Sequence, residues 1–403
     1  MEKTNDEIYL AKKRSAAYLD QIRGSMVGGA IGDALGYVIE FMPEDSIFSK
    51  YGPEGITGYE LTRGVAQISD DTQMTLFTAN GMLFGDTFGW MHGVAFPTIG
   101  FVRDAYSDWL KTQTMDFSAV KTASAKPHLF GECGISWLLD VPELYSLRAP
   151  GTTCLSALSS NEYKTGSVAD RINHSKGCGG VMRVAPLALM FHPGCRYKSI
   201  NQKELDIKGA EIAAITHGHS LGFMPAAVVT HVISRILSDR GRMSLEDIIQ
   251  DARDTIAEIF AGDEHLEELT RIIDQAVALS KNNDSDLDNI HQIGEGWVAE
   301  ETLGIALYCA LKYQDDFSKA IITAVNHRGD SDSTGAVTGN ILGALVGYDA
   351  IEDKWKENLE LIDVILEMAD DLCYGCLMDE FSNYRDPAWI SKYIDMHQYK
   401  KNP

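Results

Sequence analysis

The sequence predicts an all-α protein. Apolar residues recur at three- and four-residue spacing along most of the chain, which is the period of a buried helix face. Stretches that alternate apolar and polar residues, as half-buried strands do, are scarce. Six segments show the helical spacing most clearly: residues 205–215, 225–237, 245–260, 266–279, 298–311 and 361–372.

Glycine placement predicts two helices at the centre of the fold. Two sets of four glycines fall at four-residue spacing, so each set would form a smooth stripe along one helix face. Glycine inside a helix costs roughly 1 kcal/mol relative to alanine, and close approach of helix backbones is the reason that would compensate. We therefore expect both helices to touch their neighbours at short range. The stripes are Gly24, Gly28, Gly32 and Gly36, and Gly335, Gly339, Gly343 and Gly347.

The length and composition of the chain favour one large folded unit. Its 403 residues, 45% of them hydrophobic, can bury a large core. No Gly/Ser-rich or Pro-rich linker marks a boundary, and no repeat of fixed period is present. We predict a helical N-terminal extension over residues 1–20 and a single all-helical domain over residues 21–403.

The charge balance excludes several classes of partner. Thirty-five basic and 58 acidic residues give a net charge of -23, which opposes nonspecific binding to nucleic acid or to anionic lipid. An anionic ligand must then be held by local groups. No apolar run reaches the roughly 18 residues of a membrane span, and the nearest approach, residues 88–102, is interrupted by His92 and Pro97. No contact with a membrane is expected.

Cysteine usage indicates a reducing compartment. The seven cysteines are odd in number and irregularly spaced, and residues 1–20 show no signal-peptide pattern, so we expect a cytoplasmic protein. Cys373 and Cys376 form a C-x-x-C pair without a second pair or a nearby histidine. Buried thiols are favoured there over zinc binding or redox chemistry.

Two acidic clusters far apart in the chain carry matching chemistry. Residues 69–72 read Ser-Asp-Asp-Thr and residues 330–334 read Asp-Ser-Asp-Ser-Thr, each at the apparent start of a helix. Either cluster alone would more often be a helix N-cap. Together, their carboxylate and hydroxyl oxygens suit two Mg²⁺ or Mn²⁺ ions, with Glu40 at the end of the first glycine-rich helix nearby. A two-ion hydrolase is therefore the first hypothesis.

Several segments, taken together and in order, resemble the ADP-ribosylglycohydrolase family. The resemblance spans most of the chain and implies a compact orthogonal multi-helix fold with a dinuclear metal cleft. It also implies hydrolysis of the bond between ADP-ribose and an acceptor side chain. The matching segments are residues 28–36 with Glu40, 69–74, Tyr106 with Trp109, 148–154, 173–183, 216–219, 294–300 and 326–334.

The resemblance also implies a ligand set and catalytic residues. Asp332 would bridge the two ions, Asp71 and Asp332 would serve in catalysis, and Glu40 would be the general acid or base. For Glu40, a surface position beyond the helix end is the alternative. Ser69, Asp70, Asp71 and Asp332 would hold one ion, and Asp330, Asp332 and Ser333 the other, with Thr334 as the alternative hydroxyl ligand.

Substrate contacts are expected on a glycine-rich loop. Residues 176–180 precede a predicted helix over residues 181–190, so backbone N–H groups and the helix dipole would cradle a pyrophosphate. Arg183 is expected to be structural. Trp297 would either stack on the adenine or the acceptor, or lie in the core. The expected contacts are Ser175, Gly177, Gly179 and Gly180, with His217 and His219 lining the cleft or supporting it.

Three positions depart from the family pattern. Ser69 replaces a threonine and preserves the hydroxyl, and Ser220 stands where proline is common. Arg328 stands where a small residue is usual, and we expect its guanidinium to pair with Asp330, tune the second ion or contact phosphate.

The expected function is removal of ADP-ribose from arginine or a guanidine-like group, on a protein or on a small molecule. The Asp-Ser-Asp-Ser segment resembles the arginine-directed members, while serine-linked and O-acetyl conjugates stay open. The alternative is a non-catalytic member that binds ADP-ribose, serves as a structural protein, or blocks an ADP-ribosyltransferase toxin through residues 1–19.

Overall fold

Helices make up the regular secondary structure of the described chain. The computed structural model describes residues 5–93, 98–124, 134–160, 166–196, 200–380 and 383–395, and there only isolated β-bridges accompany the helices. The all-α prediction is confirmed. The helices are α1 (Asn5–Ser15), α2 (Leu19–Tyr37), α3 (Glu44–Tyr51), α4 (Asp70–His92), α5 (Thr98–Thr114), α6 (Phe117–Ser124), α7 (Thr152–Ser159), α8 (Ala185–Met190), α9 (Gln202–Ala214), α10 (Ser220–Asp239), α11 (Leu245–Ile259), α12 (Leu266–Leu279), α13 (Asp286–Ile293), α14 (Ala299–Lys312), α15 (Phe317–Val325), α16 (Ser331–Val346), α17 (Asp353–Lys356), α18 (Ile362–Tyr374) and α19 (Pro387–Tyr393).

The six segments with clear helical spacing are found as α9, α10, α11, α12, α14 and α18. Their starts differ from the prediction where side chains cap the first turn. Asn201 and Glu204 form a capping box, so α9 begins before the apolar spacing does. The ring of His219 accepts from the Leu221 N–H, so α10 begins a turn before Pro225.

The two glycine stripes face each other, which explains both of them. A Cβ on Gly28 would lie 2.4 Å from the Gly339 carbonyl oxygen, and one on Gly32 would lie 2.0 Å from that of Gly335. A Cβ on Gly36 would meet the Ser331 carbonyl at 2.3 Å. The helices α2 and α16 therefore run antiparallel with their backbones in contact. This contact sets the end of α2 beside the start of α16.

The helix α10 lies in the core. It is long and apolar enough to cross a membrane by length and composition, yet 89% of its most apolar stretch is buried inside the protein. Its apolar residues do not form one continuous run in the sequence, because Pro225, His231 and Arg235 interrupt them. No other helix of the described residues meets that measure.

The N-terminal segment docks on the rest of the described chain. The Ser15 hydroxyl donates to the Gly194 carbonyl, and the Cys373 thiol donates to the Ser15 carbonyl, both at 3.2 Å. The helix α1 lies within this segment, and the division into an extension over residues 1–20 and one domain stays a prediction. Cys373 and Cys376 are free and buried, and burial raises the pKa of each thiol to about 12.

Candidate metal centre and cleft

The two acidic clusters meet in one cavity. They lie at the N-termini of α4 and α16, and Glu40 reaches the same place from the turn after α2. The cavity has a volume of about 380 Å³. Its lining consists of Glu40, Phe41, Asp70, Asp71, residues 149–154, Gly177, Cys178, Gly179, Met182, His217, Trp297, Asp330, Asp332 and Ser333.

The first turn of α4 is held by an acid on α2. Asp33 accepts hydrogen bonds from the Ser69 N–H at 2.8 Å, from the Thr72 N–H at 3.0 Å and from the Thr72 hydroxyl. The Ser69 hydroxyl caps the helix by accepting from the Asp71 N–H. Burial raises the pKa of Asp33 to about 6. These bonds fix the direction in which Asp70 and Asp71 leave the backbone.

The first turn of α16 presents Ser333 to the cavity and turns Thr334 away. The Ser333 N–H donates to Asp330 Oδ1 at 3.3 Å and to Asp332 Oδ1 at 3.0 Å. The Thr334 hydroxyl lies 2.7 Å from the Ala324 carbonyl oxygen and is fully buried. Between the two hydroxyls that the sequence left open, the geometry favours Ser333.

Three carboxylates are close enough to share one ion. Glu40, Asp330 and Asp332 each offer an oxygen within 4.8 Å of the others, and all three side chains are buried. Glu40 Oε2 and Asp71 Oδ2 are shielded from solvent without a hydrogen-bond partner in the described structure. Unpaired buried oxygens of this kind fit hard divalent cations.

The electrostatics of the cluster favour an added positive charge. Burial, then the neighbouring Asp330, raises the pKa of Glu40 to about 9, and burial raises that of Asp70 to about 8. Burial and the surrounding acids also raise the pKa of Asp71 and Asp332 well above the usual range. Such shifts mean that the acids resist ionising together unless a cation compensates them.

Other predicted residues lie behind the cavity wall. Ser69 is fully buried, and Ser175 Oγ lies 3.0 Å from Thr153 Oγ1. Gly180 packs against α10, where an added Cβ would lie 2.8 Å from the Gly222 carbonyl oxygen. His219 caps α10 and does not line the cavity. The structure therefore brings Gly177, Gly179 and His217 to the cavity surface and leaves these four in supporting positions.

The glycine loop begins its helix later than predicted. A 3₁₀ turn over Cys178–Gly180 comes first, and α8 starts at Ala185 with Pro186 in its first turn, a position that suits proline. The Cys178 N–H donates to the Trp297 carbonyl at 3.3 Å, so that donor is already used. A Cβ on Gly179 would lie 3.1 Å from His217 Cε1. The loop thus lies directly against the ring of His217.

His217 presents a neutral ring to the cavity. Burial, together with the charge of Arg183, lowers the pKa of His217 to about 3. Arg183 is fully buried, donates to Thr216 Oγ1 at 2.6 Å and lies 4.3 Å from the centre of the Tyr106 ring. Its structural role agrees with the prediction.

Trp297 and Arg328 differ from two expectations. Trp297 is 39% exposed and lines the cavity, so its side chain does not lie in the hydrophobic core. Arg328 forms an ion pair with Glu295, at 2.9 Å, and not with Asp330. Of the three roles expected for Arg328, the pairing with Asp330 is therefore wrong, because the chain turns at Gly329, where φ is +124°. The other two roles stay predictions.

Sequence reasoning missed three residues of this region. Asp33 is an isolated acid in a glycine-rich apolar stretch, and this isolation is the signal that could have identified it. Phe41 follows Glu40 and lines the cavity, and Cys178 donates its thiol to Asp330 Oδ2 at 2.7 Å.

A larger cavity of about 620 Å³ lies between α1, the end of α18 and α19, away from the acidic clusters.

Comparison with known proteins agrees with the fold and the matched segments. The family model described as ADP-ribosylglycohydrolase matches residues 14–383. The ADP-ribosyl-[dinitrogen reductase] glycohydrolase of Rhodospirillum rubrum is 22% identical over 346 residues, which cover 85% of this chain and 91% of that protein. The ADP-ribosylarginine hydrolase Tri1 of Serratia proteamaculans is 22% identical over 369 residues, 90% of this chain and 81% of that protein.

Two further similarities are more limited. The human ADP-ribosylhydrolase ARH3 is 24% identical over 214 residues, which cover 46% of this chain and 54% of that protein. A solved structure described as an ADP-ribosylglycohydrolase-related protein complex has a TM-score of 0.54 and 22% identity. The match covers 89% of this chain and 98% of the solved chain, and at this identity it supports the fold alone. With a family match over most of its length, this chain belongs to the ADP-ribosylglycohydrolase family.

Proposed function

We propose that this protein is a divalent-metal-dependent hydrolase that releases ADP-ribose from arginine or a guanidine-like acceptor. The observation that carries the proposal is the convergence of five acids in one cavity, two of them with unpaired buried oxygens. Membership of a glycohydrolase family supports the reaction class. The five acids are Glu40, Asp70, Asp71, Asp330 and Asp332.

Two Mg²⁺ or Mn²⁺ ions are the proposed cofactors. The donors are hard oxygens from carboxylates and a hydroxyl, as these ions prefer. When bound, such ions hold the ribose diol and make a water molecule more nucleophilic. In this proposal Asp70, Asp71 and Asp332 would hold one ion, and Asp330, Asp332 and Ser333 would hold the other. Ser69, which lies behind the cavity wall, supports the first set by capping α4.

Glu40 is the proposed acid and base. Its raised pKa of about 9 keeps a proton on the carboxyl group at neutral pH in the metal-free protein. A protonated carboxyl at the cavity wall can donate to a leaving nitrogen. The remaining carboxylates stabilise positive charge that develops at the anomeric carbon as the bond breaks.

The pyrophosphate is assigned to the wall formed by the glycine loop. Gly177 and Gly179 bring backbone close to the cavity without side chains in the way. The ring of His217, which burial keeps neutral, lies against them. Local polar groups of this kind allow a strongly acidic protein to hold an anion.

The acceptor is assigned to the aromatic side of the cavity. Phe41 and Trp297 stack there beside the carboxylates, and planar cations such as guanidinium bind well against aromatic faces next to negative charge. The relative from Serratia is named an arginine hydrolase, which supports the same acceptor class. An ADP-ribosylated protein or a small conjugate would satisfy this geometry.

The proposal is tested with ADP-ribosyl-arginine and ADP-ribosyl-serine peptides, with and without Mg²⁺ or Mn²⁺. We expect ADP-ribose release from the arginine peptide in the presence of metal. Release should fall by at least about a thousandfold in Asp332→Ala, since that acid would be a ligand of both proposed ions. Asp315→Ala, an exposed acid outside the cavity, is the matched control and should keep full activity. Full turnover in the presence of a chelator would contradict the metal dependence.

A further inference from the structure

Phe41 and Trp297 form an aromatic stack at the wall of the acidic cavity. Their ring centres lie 5.9 Å apart, with an angle of 24° between the ring planes. Phe41 is 71% exposed, so it contributes little to the hydrophobic core. Its ring contact is with Trp297, which lines the same cavity.

Trp297 is a fixed platform for this stack. Its carbonyl accepts the Cys178 N–H at 3.3 Å, which ties it to the glycine loop. The preceding residue, Gly296, donates its N–H to Glu301 Oε2 at 3.2 Å and accepts the Thr302 hydroxyl at 2.6 Å. The loop is thus held from both sides, and a ring resting on Trp297 rests on a positioned surface.

Glu40, next to Phe41 in the chain, lacks comparable support for its side chain. Its Oε2 atom is buried without a hydrogen-bond partner in the described structure, and Asp330 and Asp332 lie within 4.8 Å. Desolvation and the neighbouring acids both disfavour a charged Glu40 inside the cavity. A contact made by the neighbouring side chain therefore bears directly on where the carboxylate lies.

The contacts that anchor the turn involve residues on either side of Glu40 and Phe41. The Ile39 N–H donates to the Gly36 carbonyl at 2.9 Å, and Ile39 is buried. Glu44 lies 2.7 Å from His291 Nε2 at the start of α3. Between these anchors, Phe41 is the residue whose ring contacts Trp297.

We propose that the Phe41–Trp297 stack is a latch that positions the Glu40 carboxylate in the cavity. Phe41 is a positioning residue, because it acts on the neighbouring Glu40 through its contact with Trp297. The inference deepens the proposed function, on which it rests for the role of Glu40. Its own test is metal affinity, which needs no substrate and no turnover.

The test is a double-mutant cycle read by Mn²⁺ binding, with free Mn²⁺ measured by electron paramagnetic resonance. Phe41→Ala should weaken Mn²⁺ binding by about 2- to 10-fold, the range expected for an aromatic pair. In a Glu40→Gln background the same change should have no effect, because the carboxylate it positions is gone. Phe41→Tyr, which keeps the ring, should restore the affinity of the unaltered protein.

Two further variants separate the latch from a general loss of structure. Trp297→Ala should weaken Mn²⁺ binding as Phe41→Ala does, and the two changes together should be no worse than either alone. Tyr9→Ala removes an equally exposed ring from α1 and should leave the affinity unchanged.

Three results would overturn the latch: an unchanged affinity in Phe41→Ala, an equal loss in the Glu40→Gln background, or no Mn²⁺ binding at all. If the double-mutant cycle gives the expected Mn²⁺ affinities but the protein releases no ADP-ribose, the proposed function is wrong and the latch is supported. If the protein releases ADP-ribose but the cycle does not give those affinities, the latch is wrong and the proposed function is supported.

Discussion

Asp33 holds the first turn of α4 in place. It lies at the contact between α2 and α4, accepts from two backbone N–H groups and one hydroxyl, and has no solvent exposure. A carboxylate can accept all of these bonds at once because it has two oxygens and no hydrogen of its own. The position of Asp70 and Asp71 therefore depends on a residue outside the cavity.

Asp33→Asn should destabilise the protein by about 1–3 kcal/mol, the cost of leaving a buried donor without its acceptor. The amide of the variant cannot accept at both atoms, so either the Ser69 or the Thr72 N–H loses its partner. Urea unfolding of the metal-free protein measures the change. Asp315→Asn, at an exposed site, is the control, and equal stability of both variants would contradict the role given to Asp33.

For single residues, the sequence predicted which residue types form the site, but it did not predict where their side chains point. The acids of the two clusters were identified because carboxylates beside hydroxyls at helix starts suit metal ions. The orientation of Arg328 depends on a positive φ at Gly329, and the exposure of Trp297 depends on which residues pack over it. Both are set by the folded chain around them, and no local pattern records them.

The α2–α16 contact is the element on which the cavity depends. The backbones touch at successive glycines, and the end of this contact, at Gly36 and Ser331, lies beside Glu40 and Asp332. The stripes predicted close approach of helices because only that would offset the cost of glycine. They did not predict that each stripe would face the other, since a smooth face does not specify its partner.

Gly32→Ala should destabilise the fold by about 1–3 kcal/mol or more, although alanine is the better helix former. The added Cβ would lie 2.0 Å from the Gly335 carbonyl oxygen, so the helices would have to move apart. Thermal unfolding measures the loss. Gly100→Ala on α5 is the matched control, because a Cβ there meets nothing within 4 Å. That variant should be neutral or stabilised by up to about 1 kcal/mol, and equal behaviour of the two would refute the contact.

The whole molecule carries a net charge of -23, and the cavity concentrates part of it. The cavity acids have pKa values raised above those of the unfolded chain, to about 9 for Glu40 and about 8 for Asp70. The stability that such acids contribute to the folded state is fully present when the pH is below their ordinary pKa, near 4. That stability is lost as the pH rises through the raised values, because ionisation then costs more in the folded protein than in the unfolded chain.

Metal binding should therefore stabilise the protein more at high pH than at low pH. At pH 5 the cavity acids hold protons that an ion must displace, whereas near pH 8 fewer protons remain on Glu40 and Asp70, so that binding of a cation costs less. We expect the increase in unfolding temperature caused by Mn²⁺ to grow steadily from pH 5 to pH 8 and to disappear with a chelator. Asp332→Ala should abolish most of this increase at every pH, while Asp315→Ala keeps it. An increase of the same size at pH 5 and pH 8 would mean that the bound ion does not compete with protons for these carboxylates.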